Sequence, residues 1–515
     1  NPAVDPEFVV FSSLRFEKRS EKDIAGAPSD VAFWLIVHVV VWTIYGTISS
    51  GPADIHHDMA EAYSWGREFQ LGYYKHPPFW AWVVGAWFLV MPRADWAYYL
   101  LCAINSALGL WAAWLIAGRL IEDRTTRLTA MLLLQLTPFY NFMALKYNAN
   151  TIMLSLWAWA IYFFLRVVGE RSLRAAVGLG VVAALGLLSK YYFALLLVAF
   201  AGAAMISEDR KDILRSPAPW LAIVIMLGLC APNIVWLAQN NFLPFFYVAE
   251  SAQQSRAFIA WKAVQFGVGS VLYHTLMIAF LVTFPVGKWT ALLRVFDWRA
   301  SSTERRKLIV IVAAPVLLTM LVALIFNVKI DTSFAVGIFP VVPLLLLTSP
   351  GYQLMPRAHV YATRDIAIVM AILLIAAPAI AYVRFAWGLE RSDEPRREAA
   401  QALQTAFERA TGRPMTIVAG DWPYGEEAPF YARGSVSHYT YLAREFAPWI
   451  TEERLVREGV AVICVRRDST CLSTARARLT GPLREASFTA RKTFFGREGP
   501  EVSFVALIQP PSISP

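Results

Sequence analysis

Five side chains able to move a proton or bind a metal, Asp54, His56, His57, Asp58 and Glu61, fall within one short stretch. A Lys75-His76-Pro77-Pro78 turn follows, after which the chain becomes apolar and carries Trp80, Trp82 and Trp87. Carboxylates beside histidines can accept a hydroxyl proton or hold a divalent ion. A nearby lysine can hold a phosphate. The plainer structural reading makes Asp58 a helix N-cap and Glu61 part of a solvated helix face. Loops leaving a membrane-spanning helix are normally short and solvated. One that gathers acids, a lysine and aromatics is a candidate reaction site.

The surrounding elements are those of a membrane protein. Of 515 residues, 57% are hydrophobic and 17% charged, against roughly a quarter charged in soluble domains. A net charge of +9 suggests nucleic acid at first sight, but the basic residues sit in short loops between apolar runs, so no nucleic-acid partner is expected. Apolar runs lie at 31–49, 96–118, 128–146, 150–167, 175–189, 191–206, 218–236, 264–286, 308–326, 333–348 and 366–385, giving about eleven spans. With the arm bearing Arg15, Lys18, Arg19 and Lys22 inside, the clusters at Arg119/Arg124/Arg127, Arg166/Arg171/Arg174, Arg210/Lys211/Arg215, Lys288–Lys307 and Arg357/Arg364 all face the cytoplasm. This requires that 78–91 does not cross. Bracketed by prolines and well short of the roughly 20 residues a span needs, it reads as a helix on the outer membrane surface. The expected organisation is a tag remnant and cytoplasmic arm (1–30), a transmembrane catalytic module (31–389, first outer loop 50–95) and an extracytoplasmic α/β domain (390–515).

In that last region, Pro395–Thr411 has helical spacing, Met415–Val418 and Val460–Val465 read as strands, and Ser487–Leu507 reads as a hairpin. The four cysteines form no CxxC pair, which argues against a thiolate metal site; Cys464 and Cys471 can pair in an oxidising compartment. No repeat, Walker-type loop or GxGxxG fold signature appears. Other outer loops hold Asn148 and Asn150, Lys190, Arg256 and Lys329. A lysine between helices often only snorkels to the interface, yet Lys190 sits in a turn too apolar to offer it water. Several cations around one vestibule would receive a lipid phosphate.

Taken together, an acidic first outer loop, the GYYKHPP segment, a surface helix and alternating cytoplasmic basic loops resemble the GT-C glycosyltransferases. More narrowly, they resemble the bacterial aminoarabinose and galacturonic acid transferases, with protein mannosyltransferases as distant relatives. The acidic motif corresponds to Asp58-Met59-Ala60-Glu61, the lysine before a proline pair to Lys75, and the Leu-x-Lys step to Leu188-Ser189-Lys190. The resemblance implies a polytopic GT-C fold in the bacterial inner membrane, acting as a monomer on the periplasmic side. It implies inverting transfer from a polyprenyl-phosphate sugar to a lipid or glycan acceptor, lipid A or lipopolysaccharide core. Asp58, assisted by Glu61, would activate or position the acceptor. Lys75, His76, Lys190, Arg256 and Lys329 would hold the donor phosphate, and Asp54, His57, Tyr74, Asn148 and Asn150 the acceptor or sugar. No cofactor is expected to be required, with a divalent metal on His57 and Glu61 as an open alternative.

One departure matters. Many relatives carry a second acid where this chain has Asn148 and Asn150, so Glu61 or Asp54 would have to substitute, or no second acid is needed. A lipid-linked sugar flippase is the competing class, but it should show repeated halves with helices broken near the bilayer midplane. A glycan ligase would use an arginine-rich outer loop. The concentration of acids in one outer loop favours chemistry.

Overall fold

A computed structural model describes residues 29–250 and 254–512. The expected tag remnant and most of the cytoplasmic arm lie outside those residues. Among the described residues, seven helices are long and apolar enough to cross a membrane: Asp30–Ser49, Asp95–Leu120, Met153–Glu170, Pro217–Gln239, Arg256–Thr283, Thr303–Phe326 and Ala358–Ala386. At 1.5 Å per residue, about 20 residues cover the bilayer's hydrocarbon core. The helix Asp30–Ser49 packs on Asp95–Leu120, which meets Met153–Glu170; that helix meets Leu173–Leu187, which leans on Pro217–Gln239. Thr303–Phe326 joins Ala194–Met205 to Arg256–Leu272, and Ala358–Ala386 returns to the first helix.

The expected eleven runs are not all continuous helices. The run at 128–146 is helical only to Leu134, and a 3-10 turn at Pro138–Tyr140 follows. The run at 333–348 holds a 3-10 turn and the short helix Val342–Leu347. Hydropathy registered these segments as spans, but Pro138, Pro340 and Pro343 interrupt the hydrogen-bond ladder that a span needs. The freed polar groups are satisfied inside the bundle. His38 contacts Gln135 Oε1 at 3.1 Å and Ser106 Oγ at 3.0 Å, and Ser106 donates to the Tyr140 carbonyl at 2.7 Å. Asn105 donates to the Thr151 carbonyl at 2.7 Å. The loop carrying Asn148 and Asn150 is thereby fixed to the helix core.

The loop after the first span folds into the helix His57–Gly66 and the helix Phe79–Val90. At 12 residues, the latter is too short to cross. The two helices meet backbone to backbone, since a Cβ on Gly66 would strike the Ala81 carbonyl and one on Gly85 the Gly66 carbonyl. The Phe79 amide donates to the Leu188 carbonyl at 2.7 Å, tying the Lys75-His76 segment to the Lys190 turn.

Beyond the last span, the helix Arg396–Thr411 precedes a five-stranded sheet ordered β2-β1-β3-β7-β4. Its strands are β1 (Ile417–Gly420), β2 (Ser437–His438), β3 (Val460–Val465), β4 (Arg484–Ala490) and β7 (Val502–Gln509). The first three run parallel, while β7 is antiparallel to both neighbours, with Ser487 opposite Val505. A small β5–β6 hairpin (Thr493–Phe494, Arg497–Glu498) interrupts the long one. Cys464 and Cys471 are disulfide-bonded.

Buried ion pairs lock this sheet unit onto the loop after the first span. Lys492 binds the Asp54 carboxylate and donates to the Pro52 carbonyl at 2.9 Å. Arg397 reaches Asp54 at 3.3 Å and Asp95 at 2.5 Å, and the Ile55 amide donates to the Tyr431 hydroxyl at 2.7 Å. Asp54, assigned above to acceptor or sugar binding, is thus a buried structural anchor with no surface for a ligand. It holds a φ of 56°, a strained backbone that these contacts support. Lys492→Met should lower stability by about 1.5–3 kcal/mol, because Asp54 keeps only Arg397. Thermal unfolding should show Lys492→Arg closer to the parent; equal melting for all three would remove the latch.

Candidate active site

Asp58 lies in the first turn of the helix His57–Gly66, half-buried in a polar cluster, termed the vestibule, on the helix that the sheet unit's Tyr424–Tyr431 packs against. It is not the N-cap. His56 fills that role, its Nδ1 accepting from the Asp58 amide at 3.1 Å, which frees the Asp58 carboxylate. Besides His56 Nδ1 at 3.8 Å, that carboxylate has three closer partners. Oδ1 lies 3.2 Å from His57 Nε2; Oδ2 receives Asn148 Nδ2 at 2.9 Å and lies 3.2 Å from Lys146 Nζ. Burial works against its charge, but the His57 hydrogen bond and Lys146 hold the carboxyl well below the usual carboxylate range. It is ionised at any physiological pH.

The two asparagines of this loop have a definite job here. Asn148 Oδ1 accepts from the Asn150 amide at 2.9 Å and the Thr151 amide at 3.0 Å, which fixes the amide so that its Nδ2 faces Asp58. An aspartate at 148 would set a second negative charge against Asp58. Asn150 receives Lys190 Nζ on its side-chain carbonyl.

Two lysines line the same vestibule. Lys75 contacts Glu61 at 2.5 Å and faces the Trp65, Tyr74 and Tyr247 rings. Burial opposes its charge, but Glu61 outweighs burial and lifts its pKa above the usual lysine value. Lys190 stands over the Phe334 ring, 3.4 Å from its centroid, and feels Asp58 and Asp331 from a distance. Burial lowers its pKa to about 7. His76 lies among Lys190, Lys75 and Asp58; burial and the two lysines lower its pKa to about 3. As a neutral ring it offers a phosphate one N–H and no charge.

Contacts and electrostatic neighbours tie Asp58 to His57, Asn148 and Lys190, Lys190 to Asn150 and His76, and Lys75 to Glu61, Tyr74 and His76. Arg256 and Lys329, assigned above to the donor phosphate, are exposed and have no contact with that group among the described residues. The expected metal pair also changes. Glu61 is held by Lys75, whereas His56, His57 and Asp58 bring three donor atoms within 4.8 Å of one another. A divalent ion would find its nitrogen and oxygen ligands there.

Three residues escaped the sequence reading. Lys146 closes an apolar run and looked like its end. Trp422 and Glu426 come from the sheet unit: Trp422 meets the His57 ring at 5.4 Å, and Glu426 lies near Glu61, Lys75 and Asp58. Burial and the Glu61 carboxylate push the Glu426 carboxyl above the usual glutamate range.

Comparison with known proteins bears on the fold. The dolichyl-phosphate-mannose-protein mannosyltransferase family pattern matches residues 75–236, which include Lys75, Asn148, Asn150 and Lys190. ArnT from Cupriavidus metallidurans in the apo state superposes with a TM-score of 0.57 over 93% of this chain and 98% of that one, at 14% identity. The fold is that of ArnT. The GT-C architecture expected from the resemblance is therefore present, with its C-terminal sheet unit. The ArnT structure bound to undecaprenyl phosphate gives a TM-score of 0.56 at 15% identity, over the same shares of both chains. By sequence, the lipopolysaccharide core galacturonosyltransferase RgtA of Rhizobium johnstonii is 26% identical over 56% of this chain. The lipid A galacturonosyltransferase RgtD of the same organism is 22% identical over 55%. These matches span 56% and 58% of the two relatives' own lengths.

Proposed function

We propose that the protein is an inverting glycosyltransferase that moves a sugar from a polyprenyl-phosphate donor to a hydroxyl of lipid A or lipopolysaccharide core, at the periplasmic face of the inner membrane. One observation carries this reading: an ionised acid paired with a histidine lies in one polar cluster with two half-buried lysines. The acceptor oxygen attacks the anomeric carbon as its bond to phosphate breaks, and the acceptor proton passes to His57. Asp58 orients that imidazole and steadies its charge, a role that suits a carboxylate too acidic to be a strong base. Negative charge grows on the departing lipid phosphate, and Lys75 and Lys190 stabilise it in a low-dielectric pocket. Glu426, beside Glu61 and Lys75, contributes a polar contact to the sugar. The matches to RgtA, RgtD and undecaprenyl-phosphate-bound ArnT support the donor and acceptor classes.

The donor side is tested with undecaprenyl phosphate and its pH dependence. Lys190, with a pKa near 7 in the free protein, is cationic below that value and loses its charge as pH rises. Affinity measured by native mass spectrometry should therefore fall between pH 6.5 and 8.5. Lys190→Arg, which stays charged, should flatten the curve. A parent curve as flat as that of Lys190→Arg would take Lys190 out of phosphate binding.

The placement of the site has its own test. A reporter fused after Arg391 should be extracytoplasmic and one near Arg124 cytoplasmic. An outward-facing Arg124 would put the vestibule on the wrong side of the membrane.

A further inference from the structure

The sheet unit holds a cleft of about 410 Å³ that the transfer site does not use. It opens at the carboxyl ends of the parallel strands β1 and β3, where Gly420 and Asp421 leave one strand and the turn to the helix Ser469–Arg478 leaves the other. In open α/β sheets this edge is where loops diverge and ligands bind. Three connections supply the walls: Asp421 after β1, Tyr441 and Phe446 after β2, and Asp468, Thr474 and Arg478 after β3. Arg478 donates to the Tyr441 carbonyl at 3.2 Å, so the aromatic wall is held in place while the Tyr441 ring stays exposed.

The chemistry of these walls is selective. Two carboxylates, Asp421 and Asp468, against the single guanidinium of Arg478, leave the lining net negative and disfavour a phosphate or another anion. Aromatic faces beside carboxylate and threonine oxygens suit a hydroxyl-rich ring, whose C–H face packs on the aromatic while its hydroxyls bond the oxygens. The cleft adjoins the Lys75 side of the vestibule through packed aromatic rings. The Tyr441 and Phe446 rings lie 6.1 Å and 4.9 Å from the ring of Tyr74, the residue before Lys75. A saccharide seated against Tyr441 therefore reaches toward the reacting centre.

We infer that this cleft is a binding subsite for an uncharged stretch of the acceptor's oligosaccharide, one or more sugars away from the unit that is modified. The inference rests on the glycosyltransferase reading above. The probe is lipid-free core oligosaccharide released from lipopolysaccharide by mild acid, titrated calorimetrically into the full chain in detergent. Undecaprenyl phosphate binding is measured on the same samples. Wild type should bind the oligosaccharide saturably. Tyr441→Ala, which removes the aromatic face, and Thr474→Trp, which fills the cleft from the opposite wall, should each weaken binding at least tenfold with donor-lipid affinity unchanged. Asp58→Asn should leave oligosaccharide binding intact. Absence of saturable binding, or equal affinity in wild type and both cleft variants, overturns the subsite while leaving the transferase reading standing. Loss of undecaprenyl phosphate binding in the wild type would instead strike that reading itself.

Discussion

Asp58→Asn should reduce transfer by at least about a hundredfold while leaving thermal stability and undecaprenyl phosphate binding close to the parent's. The expectation follows from what the carboxylate touches. Its oxygens face His57, Asn148 and Lys146, and none of these is a covering apolar layer. The asparagine can still accept from Asn148, so the turn at 148–151 survives. What disappears is the negative charge that orients His57 and steadies it once protonated. A polar substitution at such a half-open position typically costs no more than about 1 kcal/mol of stability. His57→Gln should fall in the same range, because it removes the proton acceptor. If Asp58→Asn were inactive and also misfolded, Asp58 would be structural. Full activity in the folded variant would remove it from the mechanism.

Lys75→Met should weaken undecaprenyl phosphate binding by roughly 10- to 100-fold, corresponding to the loss of a charge-assisted contact of about 1.5–3 kcal/mol. The methionine keeps the aliphatic stem against Trp65 and Tyr74, so a packing role would be spared. The same change frees Glu61, which loses the partner 2.5 Å away. Glu61 then protonates more readily, so the fold tolerates the change better at pH 6 than at pH 8. Lys75→Arg restores the charge and should recover most of the affinity. Native mass spectrometry of the three proteins across a lipid titration separates these outcomes. Equal affinities for parent and Lys75→Met would reassign the lysine to holding Glu61 alone.

Most of the vestibule is legible from single loops. Asp58, Lys75, Asn148, Asn150 and Lys190 each sit where an apolar run gives way to polar residues, and the alternation of basic loops places them on one side. Their convergence depends on contacts that carry no sequence signal, such as the Phe79 amide on the Leu188 carbonyl. Asp54 looked equivalent to Asp58 because both are acids in one short stretch. The difference comes from Lys492 and Arg397, supplied by the far end of the chain. Glu426 and Trp422 are hidden for the same reason, since they enter the site only through the packing of the helix Tyr424–Tyr431 on His57–Gly66. Hydropathy also counts apolar residues without weighing the prolines among them. Residues 128–146 and 333–348 therefore read as spans although their backbones are broken.

The central claim is that the Asp58 vestibule adds a sugar to lipopolysaccharide. Mass spectrometry of lipid A and core from cells lacking the gene, complemented with the parent or with Asp58→Asn, tests it most directly. A single glycosyl mass increment should be missing in the deletion strain, return with the parent and stay missing with Asp58→Asn. Identical lipid A and core spectra from all three strains would contradict it.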